Sequence, residues 1–208
     1  MQNKTPEDFQ RQKNLAIIRE VLKTDYISFH CEEFIITEKS GGRTHVECTI
    51  NMSSGETRLV KGSGTGAVDA LFNSLIETYS PSNKSLEDIA VQEFHIFVDR
   101  ADLRQRHRIG RIGADAMVKT CLIINSGVGP MLPFRSQGRS AIRAMLDVVL
   151  STIEFYINSE AAVQNLKKYI KEARTRRRQD LVEKYTSKMV DLVKGVSYER
   201  VFREVPDE

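Results

Sequence analysis

Two short turns rich in glycine and serine stand immediately before amphipathic segments, and their residue types suit anion binding. The first is "GSGTG" at 62–66, before "AVDALFNSLIETY", and the second is "SQGRS" at 136–140, before "AIRAMLDVVLSTIEFY". Glycine lets the backbone approach a ligand closely, and the free N–H groups and dipole of a helix start attract a carboxylate. The turns are therefore either ligand-binding junctions or plain strand-to-helix connections, and both interpretations stay open on these residues alone.

Catalytic and metal-binding patterns are absent from the sequence. Four serines lie near glycines, but they form no G-x-S-x-G elbow, and no histidine can be assigned as their base; they are Ser63, Ser126, Ser136 and Ser140. The four histidines lack paired helical spacing, and the three cysteines lack a C-x-x-C motif. We therefore expect buried reduced thiols, no metal, no cofactor and no catalytic residues. The chain is predicted not to be an enzyme.

Two segments concentrate the basic charge, "RADLRQRHRIGR" at 100–111 and "RTRRR" at 174–178. A solvated surface is the first interpretation, and contact with phosphate, nucleic acid or an acidic partner is the second. No aromatic residues interleave with either run, which argues against a platform that stacks single-stranded bases. An interaction scaffold or nucleic-acid-associated adaptor without a small-molecule ligand is therefore the alternative function.

The 208 residues are 40% hydrophobic and 28% charged, which is typical of one globular domain with extensions or of two small halves. A net charge of +3 is too small to demand a nucleic-acid partner. No run of about 18 apolar residues occurs, and the N-terminal "MQNKTPEDFQRQK" lacks the apolar segment of a signal peptide. We expect a cytoplasmic protein without membrane association.

The two glycine turns belong to a repeated pattern. The second turn and its helix align with the first at an offset of about 74 positions, which places Gly138 on Gly64 and Ser140 on Gly66. Each turn also follows three β-rich runs separated by glycine and serine. The pattern predicts a duplicated pair of βββα units, the first at 26–80 and the second at 86–158, and hence an α+β fold.

Helices are predicted on both sides of the duplicated region, 26–158. In the arm 1–25, Thr5 and Asp8 bracket a proline in a pattern typical of a helix start. Polar residues at 159–208 carry an apolar stripe broken at Arg177, which predicts a long basic C-terminal helix that packs on its own domain or on a symmetry mate. The stripe consists of Val163, Leu166, Ile170, Ala173, Leu181, Tyr185, Met189 and Leu192.

The stretch "GSGTGAVDALFNSL" resembles the glycine-rich motif G-x-G-P-V-D-A of the regulatory domain of 2-isopropylmalate synthase. This leucine-type allosteric, or dimerisation, domain is shared with citramalate synthases and consists of two βββα units about a pseudo-twofold axis. The stretch "LEDIAVQEFHIFVD" at 86–99 is similar to the family strand that opens the second unit, and "GADAMVKTCLIIN" at 113–125 is similar to its G-T-D-A-x-A-x-V strand. The resemblance covers roughly residues 40–158.

The resemblance implies that an end-product amino acid binds where the two units meet, near both glycine turns. The site residues that it implies are Gly64, Gly66, Ala67, Val68, Asp69 and Ala70 in the first unit, and Gly138, Arg139, Ser140, Ala141 and Ile142 in the second. It also implies a homodimer that regulates a synthase or another protein partner in trans. The family's catalytic TIM barrel needs about 250 residues, and neither that barrel nor an H-x-H metal motif is present, which implies a module without acetyl-transfer chemistry.

The second family motif, G-x-S-T-D-I-I-E-A-S, matches this chain at only two positions. Ile142 stands where the family has an acid, and the nearby Arg139 and Arg143 favour an anion such as a carboxylate or a phosphate. Asp69 is then the candidate partner for an ammonium group. We therefore predict a non-catalytic regulatory or ligand-sensing module that takes a branched-chain amino acid or a related carboxylate.

Overall fold

The computed structural model describes residues 5–98, 117–127 and 130–195, which form four α-helices and two three-stranded antiparallel sheets. The helices are α1 (Pro6–Leu22), α2 (Ala67–Tyr79), α3 (Ala141–Thr175) and α4 (Gln179–Gly195). The strands are β1 (Phe29–Thr37), β2 (Thr44–Met52), β3 (Thr57–Gly64), β4 (Ala90–Val98), β5 (Val118–Asn125) and β6 (Leu132–Gly138). The predicted α+β class with two βββα units and flanking helices is confirmed. The basic segment 100–111 lies outside the described residues.

Helix α1 begins where the sequence predicts. The Thr5 hydroxyl accepts a hydrogen bond from the Asp8 N–H at 3.3 Å, and the Asp8 carboxylate accepts one from the Thr5 N–H at 2.9 Å. This reciprocal cap satisfies donors that have no partner within the helix itself. Ile18 and Leu22 are buried whereas Phe9 is exposed, so the second half of the helix supplies most of its contact with the core.

The two sheets share one topology. Each is a meander with its strands in chain order, and each first strand carries a bulge at the same place, before Glu33 in β1 and before Glu93 in β4. Glu33 and Glu93, the residues that follow the two bulges, are 60 positions apart in the sequence. Cys48 of β2 and Leu122 of β5 occupy equivalent places in the two registers and are 74 positions apart. The extra residues of the second unit therefore lie in its β4–β5 connection.

A single hydrophobic core joins both units, and α3 runs through its centre. This helix contacts β5 and β6 of the second sheet, β1 of the first sheet and all three other helices. Three aromatic rings meet at the centre, Phe134 of β6 with Phe155 and Tyr156 of α3, with centroids 5.4 to 6.2 Å apart. Because α3 packs against both units, the apolar faces of the two units are buried together.

The region predicted as a long C-terminal helix forms a hairpin of two helices. Helix α3 crosses the expected boundary at 158/159 without a break, and α4 returns along α1 and α3. At the reversal, Arg177 has a φ of +52°, and the Arg178 N–H donates to the Ala173 carbonyl at 2.9 Å, as in a Schellman motif. The reversal explains why the apolar stripe is broken at this residue. Neither these helices nor any other in the described ranges is long and apolar enough to cross a membrane.

Candidate functional site

The first glycine turn packs tightly against the start of α2. A Cβ atom on Gly64 would lie 2.5 Å from both the Ala70 backbone nitrogen and the Asp69 carboxylate, and one on Gly62 would lie 2.5 Å from the Ser74 Cβ. These distances are far inside van der Waals contact, so glycine alone allows β3 to approach the helix this closely. Gly62 and Gly64 therefore set the position of the helix start.

Gly66 has a different role, because α2 begins from it. Its backbone is extended, with a φ of −152°, and a Cβ atom on it would meet no described atom within 4 Å apart from its own chain neighbours. No side chain of the described residues caps this helix start, whereas Ser140 caps α3 by accepting a hydrogen bond from the Arg143 N–H at 3.2 Å. The start of α2 thus offers backbone donors and the positive end of the helix dipole to an acceptor.

The carboxylate of Asp69 ties the turn to the helix. One oxygen accepts a hydrogen bond from the Thr65 N–H at 2.9 Å, and the other accepts one from the Asn73 side-chain amide at 2.7 Å. A negative charge in the first turn of a helix is favourable because it opposes the dipole. Each carboxylate oxygen accepts more than one hydrogen bond, and the side chain is exposed. Asp69 can therefore also accept a hydrogen bond from an ammonium group.

A cleft of about 650 Å³ lies between α2 and the residues that open the second unit. Its apolar lining comes from Val68, Phe72, Ile76, Ile89, Val91 and Phe94. Polar groups gather at one end of the cleft, where the first turn of α2 begins. A mostly apolar cavity with a few convergent polar groups is typical of small-molecule sites. The cleft can therefore hold an apolar group with a carboxylate beside the helix start.

The structure places the predicted site residues in three different environments. Those that border the cleft are Gly66, Ala67, Val68 and Asp69. Two are buried behind the turn, Gly64 and Ala70. The second set surrounds the start of α3 and does not border the cleft; it comprises Gly138, Arg139, Ser140, Ala141 and Ile142. The fold therefore brings the first turn together with β4, and it leaves the second turn at a separate location.

The second turn lacks the close packing of the first. A Cβ atom on Gly138 would meet its nearest neighbour, the Ser140 carbonyl oxygen, at an ordinary distance of 3.8 Å. Ile142 is 48% exposed, and Arg143 forms an ion pair with Asp147 at 3.3 Å on the next helical turn. This helix start is capped by its own serine, and the nearby positive charge is partly balanced within the helix.

The β4 side of the cleft is absent from the predicted site. Ile89, Val91 and Phe94 lie in "IAVQEF", whose β-branched and aromatic residues predict a strand but do not indicate which helix that strand faces. The partner of α2 depends on how the two units pack, which local periodicity cannot reveal. Only the resemblance pointed to a site between the units, and it centred that site on the turns.

The described cysteines pack as small apolar side chains. The sulfur atoms of Cys31 and Cys48 are 2.8 Å apart within the first sheet. Burial raises the pKa of the Cys48 thiol, and its hydrogen bond with Cys31 raises the pKa further; burial likewise raises the pKa of Cys121. Protonated thiols are poor nucleophiles. Within the described ranges, no group of three or more histidine, cysteine or acidic side chains could hold a metal ion.

In comparisons with known proteins, no family model matches this chain and no curated protein matches its sequence. The resemblance to the regulatory domain of 2-isopropylmalate synthase therefore stays a prediction that depends on the motifs quoted above.

Proposed function

We propose that this protein is a non-catalytic module that binds a small carboxylate with an apolar side chain, such as a branched-chain amino acid. The observation that carries the proposal is the 650 Å³ cleft, which combines an apolar lining with the uncapped start of α2. Its volume falls within the range of about 300 to 1,000 Å³ that is usual for ligand pockets. The motif resemblance supports the same class of ligand.

Each part of such a ligand has a complementary group in the cleft. The carboxylate would accept hydrogen bonds from the backbone N–H groups of Ala67 and Val68, where the helix dipole favours a negative charge. The ammonium group would pair with Asp69, the only acidic side chain among the described lining residues. The aliphatic side chain would be buried between Phe72 of α2 and Phe94 of β4, which removes apolar surface from water.

A ligand in this cleft would contact both units at once. Val68 belongs to the first unit and Val91 to the second, so the ligand would favour whichever arrangement of the units brings these walls together. A ligand shifts a conformational equilibrium only by its difference in affinity for the two states. We propose that this coupling regulates a protein partner in trans; the homodimer and the synthase partner are parts of the same proposal.

The first experiment is a thermal-shift screen of the full chain against leucine, isoleucine, valine and their 2-oxo acids. A ligand at a hundred times its dissociation constant should add about 2.7 kcal/mol to the free energy of unfolding. We expect at least one of these compounds to raise Tm. No shift with any of them would overturn the proposed ligand class.

A matched pair of variants locates the binding site. Val68 and Ile142 occupy equivalent positions in the two units, but only Val68 borders the cleft. We expect Val68→Trp to fill the cleft and abolish the ligand-induced shift, and Ile142→Trp to keep it. Isothermal titration calorimetry on both variants tests this, and a shift that survives in Val68→Trp would place the ligand elsewhere.

A second candidate function uses the basic turn between α3 and α4. Arg174, Arg176, Arg177 and Arg178 are exposed there. Among the described residues, Arg176 pairs with Glu172 at 4.0 Å and Arg178 pairs with Asp180 at 2.8 Å. An exposed basic turn suits the phosphate backbone of a nucleic acid. Fluorescence anisotropy with a generic DNA duplex tests this candidate. Binding that falls steeply with salt would favour it, and no binding at low salt would eliminate it.

A further inference from the structure

A second cavity, of about 450 Å³, lies between the first turns of α1 and the second sheet. Its lining comes from α1, β5, β6 and the end of β4, and it shares no residue with the cleft beside α2. The charged lining residues are Asp8, Arg11, Lys119 and Arg135. Three of these four are positive, so the cavity is cationic where the cleft beside α2 is apolar.

The single acidic residue in this lining is already paired. Asp8 is buried, forms an ion pair with Arg135 and completes the cap of α1 with Thr5. An arginine–carboxylate pair cancels most of the charge of both groups over a short distance. The other two cationic side chains of the lining are Arg11 and Lys119.

One polar atom of Arg11 is buried without a hydrogen-bond partner among the described residues. Its Nε atom is buried and makes no hydrogen bond within the described part of the chain, and its guanidinium carbon lies 5.1 Å from the centre of the Phe134 ring. Burial lowers the pKa of this guanidinium, yet arginine stays charged in proteins. A buried N–H donor without an acceptor is unfavourable, and an anion in the cavity would supply one.

We propose that this cavity binds the phosphate group of a small phosphorylated metabolite, with Arg11 as the main ligand-binding residue. Three of the four charged side chains in the lining are positive, and a phosphate monoester carries about 1.5 to 2 negative charges at neutral pH. The planar fork of a guanidinium matches two phosphate oxygens. The cavity volume also leaves space for an organic portion beside the phosphate.

Inorganic phosphate is the probe for this site. The full chain is titrated with phosphate and, in parallel, with sodium acetate at matched ionic strength. Binding is measured by calorimetry and by the side-chain Nε–Hε resonances of ¹⁵N-labelled arginine. We expect saturable phosphate binding that shifts the Arg11 resonance. This resonance is assigned as the signal that disappears in the Arg11→Lys variant. Acetate should bind more weakly, because it carries one charge.

Two arginine variants separate a specific site from general charge. Arg11→Met keeps an apolar contact with Phe134 and should weaken phosphate binding by at least about tenfold, because a charge-assisted hydrogen bond is lost. Arg58→Met is the matched control: Arg58 lies 5.1 Å from the Tyr79 ring but outside the cavity, and its loss should leave binding unchanged.

Three results would overturn the proposal: an unaltered Arg11 resonance in wild-type protein, equal affinity for acetate and phosphate, or wild-type affinity in Arg11→Met. The resonance measurement uses wild-type protein for binding, so it decides the question even if Arg11→Met fails to fold. The cleft beside α2 is assayed with different ligands and different variants. Failure at one site is therefore distinguishable from failure at the other.

Discussion

Gly62, Gly64 and Gly66 lie in one turn but have different surroundings. The first two lie where a Cβ atom would overlap α2, while the third faces open space. Gly64 is confined by the Ala70 backbone, which cannot move without shifting the helix. The packing of β3 on α2 therefore depends on Gly62 and Gly64, whereas Gly66 leaves the start of α2 unobstructed.

Replacing Gly64 should destabilise the fold more than replacing Gly66. Gly64→Ala inserts a methyl group against the Ala70 backbone, and overpacking of this kind usually lowers the free energy of unfolding by about 1 to 3 kcal/mol. Gly66→Ala adds no clash, and alanine at a helix start should lower it by less than about 1 kcal/mol. Urea unfolding of both variants compares the two values. Equal destabilisation would contradict the role assigned to Gly64.

Helix α3 holds the chain that leads into β1 through two side chains one turn apart. Glu154 accepts hydrogen bonds from the Tyr26 hydroxyl at 2.6 Å and from the Phe29 N–H at 3.1 Å. Asn158 accepts one from the Ile27 N–H at 2.8 Å and donates one to the Ile27 carbonyl at 2.7 Å. A helix of the second unit thereby satisfies backbone groups of the first, which links the two units beyond apolar contact.

The bond from Tyr26 to Glu154 should make stability depend on alkaline pH. Burial raises the pKa of Tyr26, and the hydrogen bond to Glu154 raises it further. The folded state therefore holds this proton more tightly, so the stabilisation is complete below the usual tyrosine pKa of about 10 and is lost as pH rises through the folded-state pKa. Tyr26→Phe should lower the free energy of unfolding by about 1 kcal/mol at neutral pH. In this variant, that free energy should also fall less steeply as pH rises above neutral.

Urea unfolding from neutral pH to about pH 11 measures both effects, since the pH range spans the ordinary tyrosine pKa. Tyr169→Phe is the control, because Tyr169 is more exposed and contacts the Tyr185 ring. If the free energy of unfolding falls with pH equally in both variants and in the wild type, the Tyr26 proton is not the source of the pH dependence.

The turn between α3 and α4 contains a strained residue whose replacement should stabilise the protein. Arg177 has a φ of +52°, a region that side chains other than glycine adopt at a cost of about 1 kcal/mol. Arg177→Gly should raise the free energy of unfolding by about 0.5 to 1 kcal/mol. Arg176→Gly is the control: Arg176 has a φ of −85°, so its replacement by glycine should not raise the free energy of unfolding. Thermal unfolding compares them, and a lower Tm for Arg177→Gly would refute the expectation.

The described part of the chain is held together by helices that pack on the same core. Leu192 of α4 is fully buried, and α4 also forms ion pairs with α1, from Lys188 to Glu20 and from Asp191 to Lys13. Exposed ion pairs contribute little to stability, so the apolar contact decides whether α4 docks. The helical hairpin is therefore an integral part of the described fold.

Leu192→Ala should lower the free energy of unfolding by about 2 to 5 kcal/mol, because it leaves a cavity between α4 and the core. Lys13→Ala, which breaks the 2.9 Å pair with Asp191, should lower it by less than about 1 kcal/mol. Circular dichroism during urea unfolding measures both. A larger effect for Lys13→Ala would show that charge, and not apolar burial, docks α4.

The local elements of this protein follow from its sequence. The cap formed by Thr5 and Asp8, the turns with glycine and the alternation of apolar residues lead to the observed helices and strands, and the repeat leads to two βββα units. These features depend on residues a few positions apart, where spacing and backbone preference act directly. The sequence does not reveal that Gly64 is needed for close packing against α2, because a glycine in a turn can serve several different purposes.

Tertiary packing alone produced both candidate sites. Val68 meets Phe94 in the cleft only because the two units pack against each other, and Arg11 meets Lys119 and Arg135 only because α1 docks on the second sheet. No periodicity in the sequence connects residues so far apart. Short-range patterns determine which elements form, whereas the burial of shared apolar surface determines which of their faces meet, and the cavities lie between those faces.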